Sequence, residues 1–494
     1  MQNIFVFIFL ITVNYFSFSQ GTAEPVKPNN TVQNYAEIMM KKYALQSAAF
    51  SFYVKDMATN TVVADYNGKM SIPSASTMKL VTTATATQYL GRGYRYKTKL
   101  MYSGEIDTIS GVLNGDLYII GGGDPTLGSK YYNKEGHARD FLFEWADSIQ
   151  GFGIVGINGR IIADASKYSY NGVPSGWVWG DLGNYYGAGP SGLTIFDNMC
   201  RLEFATGANA GDTTSIICME PYVPGLTVTN SVKSADSKKD NAYVYGAPYS
   251  LDWFVQGSIP KGRESFIVKA SIPDPEYISA IEFNQALTES GIPTKYAPTT
   301  MRELNKEKPF TKPELHVIHT HSSPTVASIM NHVNQKSVNL FAEHILCEIS
   351  YKKSGYGSTH NGALFCMNYW RSKVGSGLFM TDGSGLSRSN AVSAKFLTNL
   401  LTYMHKTKSA DKFRASLALA GKRGTMSGMC KETAAAGRVF GKSGTMTRCK
   451  SYAGYVDTKT GKILAYAMII NNHSCSNSQV RKYFEFLMVK MANY

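Results

Sequence analysis

The sequence predicts an α/β fold in which one domain, built from both ends of the chain, is interrupted by β-rich insertions. Three observations carry this. The chain has 494 residues, too many for one ordinary core and enough for about two to four compact units. Residues 21–98 and 310–494 mix helical apolar spacing with extended runs, whereas about 98–309 shows short strands, Gly-rich turns and many Tyr and Thr. Hydrophobic residues at 44% and charged residues at 17% lie in the globular range.

Residues 1–20 carry no charged side chain, and Ile4 to Phe18 is mostly apolar, which reads as a signal peptide, with a retained anchor as the rival. Thr31 to Leu45 has helical spacing. Extended runs at Ala48–Val54 and Thr61–Tyr66 make a hairpin with Asn60 in its turn. A Pro-containing turn leads into Ser76–Leu90, whose Ala, Met, Leu and Thr content fits a buried helix. The insertions divide into a β-rich part, 99–125 with 195–309, and a further part, 126–194. Helical periodicity returns at Thr325–Ser350 and Ser393–Lys406. Strands at Ser451–Asp457 and Ile463–Ile470 and a last helix close the chain.

The formal charge of +14 suits acidic polymers or anionic surfaces, and an exported chain without a recognition motif is not expected to bind nucleic acid. Seven cysteines include Cys200/Cys218, Cys347/Cys366 and Cys430/Cys449, with Cys475 left over. Disulfides and buried free thiols both fit this spacing. No CxxC occurs, and His316, His319 and His321 read as a strand rather than a ligand set, so neither metal nor cofactor is expected.

Ser-x-x-Lys on a helix puts hydroxyl and amine on one face, where the amine can take the hydroxyl proton. The pattern occurs at Ser76/Lys79, Ser258/Lys261, Ser350/Lys353 and Ser409/Lys412. Only Ser76 opens a buried helix after a turn, where the helix N-terminus favours developing negative charge. An N-cap serine with an exposed lysine is the competing explanation. Two further motifs outweigh it: Ser337-Val338-Asn339 and Lys442-Ser443-Gly444-Thr445 follow in the order characteristic of β-lactamases and penicillin-binding proteins. Lys353-Ser354-Gly355 lies too near Asn339 to reach a sheet edge. Gly123-x4-Gly128-Ser129-Lys130 imitates a phosphate loop but reads as a tight turn.

With these motifs the sequence resembles the class C low-molecular-mass penicillin-binding proteins, the DD-carboxypeptidase/endopeptidase family S13. Asp382 to Arg388, Gly121 to Leu127 and Trp177 to Asp181 match further family strings. Val338 stands where many members carry Asp, and Ser443 where Thr is commoner; neither removes a group the chemistry requires. The resemblance implies a β-lactamase-like transpeptidase domain, an antiparallel sheet with helices on both faces. It also implies a periplasmic enzyme without cofactor, acting on peptidoglycan stem peptides and acylated by β-lactams, with peripheral wall or membrane association.

The implied roles follow. Ser76 forms the acyl-enzyme. Lys79, its pKa lowered by burial beside Lys442, serves as base. Ser337 relays the proton to the departing amine, and Asn339 holds the substrate amide. The backbone N–H groups of Ser76 and Thr445 form the oxyanion hole. Lys442, Ser443, Gly444 and Thr445 bind the terminal carboxylate, and Asp181 with Arg388 grips a diaminopimelate side chain. The residues leave the formal base open. A β-lactamase and a non-catalytic wall-binding protein are the alternatives; the first lacks a distinct deacylating carboxylate, and the second does not explain three complete motifs.

Overall fold

The computed structural model describes residues 30–306 and 308–494; the leader at 1–20 lies outside them. A six-stranded antiparallel sheet runs in the order Val62–Tyr66, Ala49–Asp56, Ile463–Asn471, Cys449–Asp457, Val439–Met446, Ala418–Leu419. Both chain ends therefore build one sheet, and its pleat sorts side chains by period two. Leu464, Tyr466, Met468 and Ile470 pack with the helices Asn30–Met40 and Asn477–Ala492. Ala465, Ala467 and Ile469 face the helices on the other side. Two apolar cores sandwich the sheet, as the resemblance implied.

Ser76 lies in a continuous helical rod, a tight turn at Ala75–Met78 followed by Lys79–Thr85 and a wider last turn at Ala86–Leu90. The helical run expected from Thr325 to Ser350 is broken in two, Val326–Lys336 and Asn339–Ser354. Ser337 takes left-handed geometry at φ +63 and ends the first helix. The break turns Ser337 and Asn339 toward Lys442 and Lys79. The Lys442 motif lies within the strand Val439–Met446, next to the sheet edge and paired with Cys449–Asp457.

The chain leaves this domain through Lys97–Tyr102 and returns through His316–Ser322, which pair antiparallel. These two strands join Leu117–Ile120, Ile161–Asp164 and Thr299–Thr300 in a mixed five-stranded sheet. Two three-stranded sheets, covering parts of 199–271, share a further core with it. The helices Asp140–Gly151 and Pro275–Glu289 in this region have no counterpart in the sequence reading. The second buries Ile278, Ala280, Glu282 and Phe283 on several sides, so no amphipathic stripe marks it. All seven cysteines are free thiols, five of them buried. No helix among the described residues is long and apolar enough to cross a membrane.

Candidate active site

Of the four Ser-Lys pairs only Ser76/Lys79 lies in a constellation. Ser258 is on a strand with Lys261 paired to Asp236 at 2.8 Å. Ser350 Oγ donates to the Tyr356 carbonyl, and Ser409 precedes a short surface helix. Lys79 is fully buried, and its Nζ lies 2.6 Å from Asn339 Oδ1, 2.6 Å from the Ser384 carbonyl and 3.0 Å from Ser76 Oγ.

The first two partners can only accept. Asn339 Nδ2 donates to the Tyr186 carbonyl at 2.8 Å, which leaves the amide oxygen for Lys79. A neutral Lys79 therefore spends both N–H groups on Asn339 and Ser384, and its lone pair faces the Ser76 hydroxyl. Burial brings the Lys79 ammonium down to about 7, against the opposing pull of Asp382 and Glu343. Burial, expected together with Lys442, is the larger cause, and the carboxylates of Asp382 and Glu343 act the other way. Lys442, also fully buried, is lowered by burial and by Lys79. Its Nζ donates to Ser337 Oγ at 2.9 Å and to the Ser443 carbonyl at 2.7 Å, so Ser337 is held by Lys442.

The turn around Ser76 admits little variation. Ala75 has φ +48, a strained value for a residue with a side chain. A Cβ on Gly385 would come within 2.0 Å of the Ala75 carbonyl, and one on Gly444 within 2.9 Å of the Ser76 nitrogen. Glycine at 444 thus lets the strand carrying Thr445 approach the Ser76 N–H. Ser443 Oγ donates to Thr425 Oγ1 at 2.7 Å.

Two buried carboxylates, which sequence reasoning did not single out for a role, shape the floor. Glu343 Oε2 and Oε1 accept from the backbone N–H of Gly383 (2.9 Å) and Ser384 (2.7 Å). Burial and Asp382 raise Glu343 to about 8. Asp382 accepts from Gly385 N, Ser387 N, Asn390 Nδ2 and Trp177 Nε1 at 2.6–2.8 Å. The Asp382 to Arg388 string is therefore a loop folded around its own aspartate, aiming the Ser384 carbonyl at Lys79. Glu343 was detectable as the residue one helical turn beyond Asn339, on the same face.

The insertion closes one wall. Tyr168 hydroxyl donates to Glu348 Oε2 at 2.6 Å, and His344, on the helix that begins with Asn339, bonds the Gly123 carbonyl through Nδ1 at 2.9 Å. With Trp177 on Asp382, these contacts seat Asp181 and Tyr186 over the cleft. The cleft, about 280 Å3, is lined by Ser76, Asn339, Thr445, Asp181, Arg388 and Tyr186. Asp181 is raised by burial and lowered by facing Arg388; the two form no direct ion pair within 4 Å. The structure thus gathers every sequence-predicted site residue except Gly444's immediate neighbour Ser443, which points to Thr425 at the cleft's edge.

Residues 31–492 match the family described as D-Ala-D-Ala carboxypeptidase 3 (S13). Over 437 residues the chain is 24% identical to D-alanyl-D-alanine carboxypeptidase DacB of Haemophilus influenzae, covering 86% of this chain and 85% of the relative. Over 460 residues it is 26% identical to a D-alanyl-D-alanine carboxypeptidase of Actinomadura sp. (strain R39), covering 89% and 80%. The crystal structure of penicillin binding protein 4 from Haemophilus influenzae aligns with a TM-score of 0.78 at 22% identity, over 93% of this chain and 98% of that one. The likeness establishes a shared fold.

Proposed function

Since the chain belongs to the D-Ala-D-Ala carboxypeptidase 3 (S13) family, we propose that it works as an exported, periplasmic serine DD-peptidase that trims D-alanine from stem peptides and opens D-alanyl-diaminopimelate cross-links through an acyl-enzyme on Ser76. The carrying observation is the hydrogen-bond set of Lys79: two acceptor-only partners and the Ser76 hydroxyl at the remaining position. The uncharged apolar segment 1–20 supports export.

Ser76 Oγ attacks the carbonyl carbon and its proton passes to the Lys79 lone pair. The oxyanion takes hydrogen bonds from the Ser76 and Thr445 backbone N–H groups. As the C–N bond breaks, the proton held by Lys79 passes to the leaving amine, relayed through the Ser337 hydroxyl, which Lys442 orients. Water then attacks the ester and gives a proton to Lys79, which returns it to Ser76 Oγ as the acid departs. Lys442 and Thr445 hold the terminal carboxylate, which the Ser443 hydroxyl reaches only by leaving Thr425. Asp181 and Arg388, one acidic and one basic on the same cleft wall, take the amine and carboxylate of a diaminopimelate side chain. A β-lactam presents its carbonyl and carboxylate at the same positions and acylates Ser76.

Mass spectrometry of defined monomeric and cross-linked muropeptides tests this. Wild-type protein releases D-alanine from the first and splits the second, and Ser76→Ala does neither. Absence of both products with wild-type protein overturns the reading.

A further inference from the structure

The three-stranded sheet formed by Thr227–Ala235, Asp252–Pro260 and Tyr243–Tyr245 presents two unlike faces. Val244, Trp253 and Val255 alternate inward into the insertion's core. Their neighbours Tyr243, Tyr245, Phe254 and Gln256 therefore turn outward. Register places Tyr245 beside Phe254 and Tyr243 beside Gln256. Trp179, from the short helix Trp179–Leu182, extends the row, its ring 6.2 Å from that of Tyr245, which lies 6.0 Å from Phe254. This aromatic row stays open: Trp179 is 55% exposed, Tyr243 48% and Phe254 38%.

The row is not a plain apolar patch. Gln256 Nε2 donates to the Tyr245 hydroxyl at 3.1 Å, and the exposed Thr229 and Ser231 lie across the sheet from Phe254 and Gln256. Rings interleaved with hydroxyls and an amide match a pyranose, whose C–H face lies flat on an aromatic ring while its hydroxyls and N-acetyl group take hydrogen bonds at the edges. A lipid surface would use the rings but not the polar groups between them.

The row is continuous with the Ser76 cleft. Trp179 sits two residues before Asp181, which lines that cleft. Asn184 exchanges hydrogen bonds with the Val244 backbone at 3.1 and 3.2 Å, so the Tyr243–Tyr245 strand abuts the segment that carries Asp181 and Tyr186 to the cleft. A stem peptide acylating Ser76 and anchored at Asp181 runs onward through about four residues, ~13 Å of extended chain, to its sugar. The sugar is thereby delivered beyond Asp181, where the aromatic row begins.

We infer that this exposed face is a binding platform for the glycan strand of peptidoglycan, seating N-acetylated hexosamine rings on Trp179, Tyr245 and Phe254 while an attached stem peptide occupies the Ser76 cleft. The inference rests on the proposed function for the substrate's identity. Platform binding itself does not require Ser76.

The test uses full-length protein, purified sacculi, and a sugar-free pentapeptide ending in D-Ala-D-Ala. Phe254→Ser and Tyr243→Ser, each checked by thermal melting, are expected to weaken sacculus binding by about five- to tenfold, in both Ser76 and Ser76→Ala backgrounds. Turnover of glycan-bearing polymer falls alongside, and turnover of the sugar-free peptide does not. Trp179→Phe, which keeps a ring, retains most of the binding that Trp179→Ala loses. Unchanged sacculus binding overturns the platform, as does an equal fall on both substrates. Loss of binding to anionic vesicles with sacculus binding intact would assign the face to a membrane and also overturn it. If wild-type protein binds sacculi through these residues yet cleaves no peptide, the platform stands and the proposed function fails.

Discussion

The floor of the cleft and its outer wall are built by opposite means. At the floor, Lys79, Glu343 and Asp382 are fully buried, and each main partner distance there lies between 2.6 and 3.0 Å. At the wall, Asp181 and Arg388 both line the open cleft, and Asp181 is half-buried. A buried, fully bonded network is costly to disturb, because each lost partner leaves a desolvated group unpaired. An open pair is weak in the resting protein and gains only when a charged ligand completes it. The floor is thus organised for chemistry and the wall for selection.

Replacing Lys79 by Met should break the floor most severely. It removes the base and orphans the Asn339 oxygen and the Ser384 carbonyl. Acylation by fluorescent penicillin should slow by about 10²–10⁴-fold, with the protein still folded by circular dichroism. Next in size, Asp382→Ala removes four hydrogen bonds. Thermal or urea unfolding should report about 3 kcal/mol lost, because the donors stay buried. A loss below 1 kcal/mol would mean that the loop holds its own shape.

The floor also predicts a pH profile. Lys79 acts as base only when neutral, and its ammonium titrates near 7. The acylation rate should fall as pH drops below about 7 and level off above it. Since the negative charge of Asp382 is the larger of the two that raise Lys79, Asp382→Asn should move that limb to lower pH, read from stopped-flow acylation rates. A shift upward would contradict the assigned field. The smallest effect belongs to the wall. Asp181→Asn and Arg388→Gln should each lower kcat/KM by about three- to tenfold for diaminopimelate-containing peptides; on peptides carrying lysine there, which keeps the amine but lacks the carboxylate, only Asp181→Asn should.

How far the sequence revealed the molecule follows the same division. The split domain was legible because period-two runs at 48–66 and 451–470 had turn residues between them, and Asn60 does adopt φ +62 in its turn. Ser76, Lys79, Ser337, Asn339 and Lys442 were legible as three spaced motifs. Local pattern did not reveal the break at Ser337, where one left-handed residue interrupts a run whose apolar spacing continues across it. Nor did it reveal Tyr186, whose carbonyl rather than side chain positions Asn339. Glu343 was visible as a carboxylate one helical turn beyond Asn339, but its role was not, since a buried carboxylate has meaning only beside the loop amides it receives. The helix Pro275–Glu289 was missed because it is buried on too many sides to show a stripe.

Peptide mapping after incubation with benzylpenicillin tests the central claim most directly. A single acyl adduct on the peptide carrying Ser76, forming more slowly below pH 7 and absent from Ser76→Ala, is the predicted result. An adduct at another residue, or equal labelling of Ser76→Ala, would contradict it.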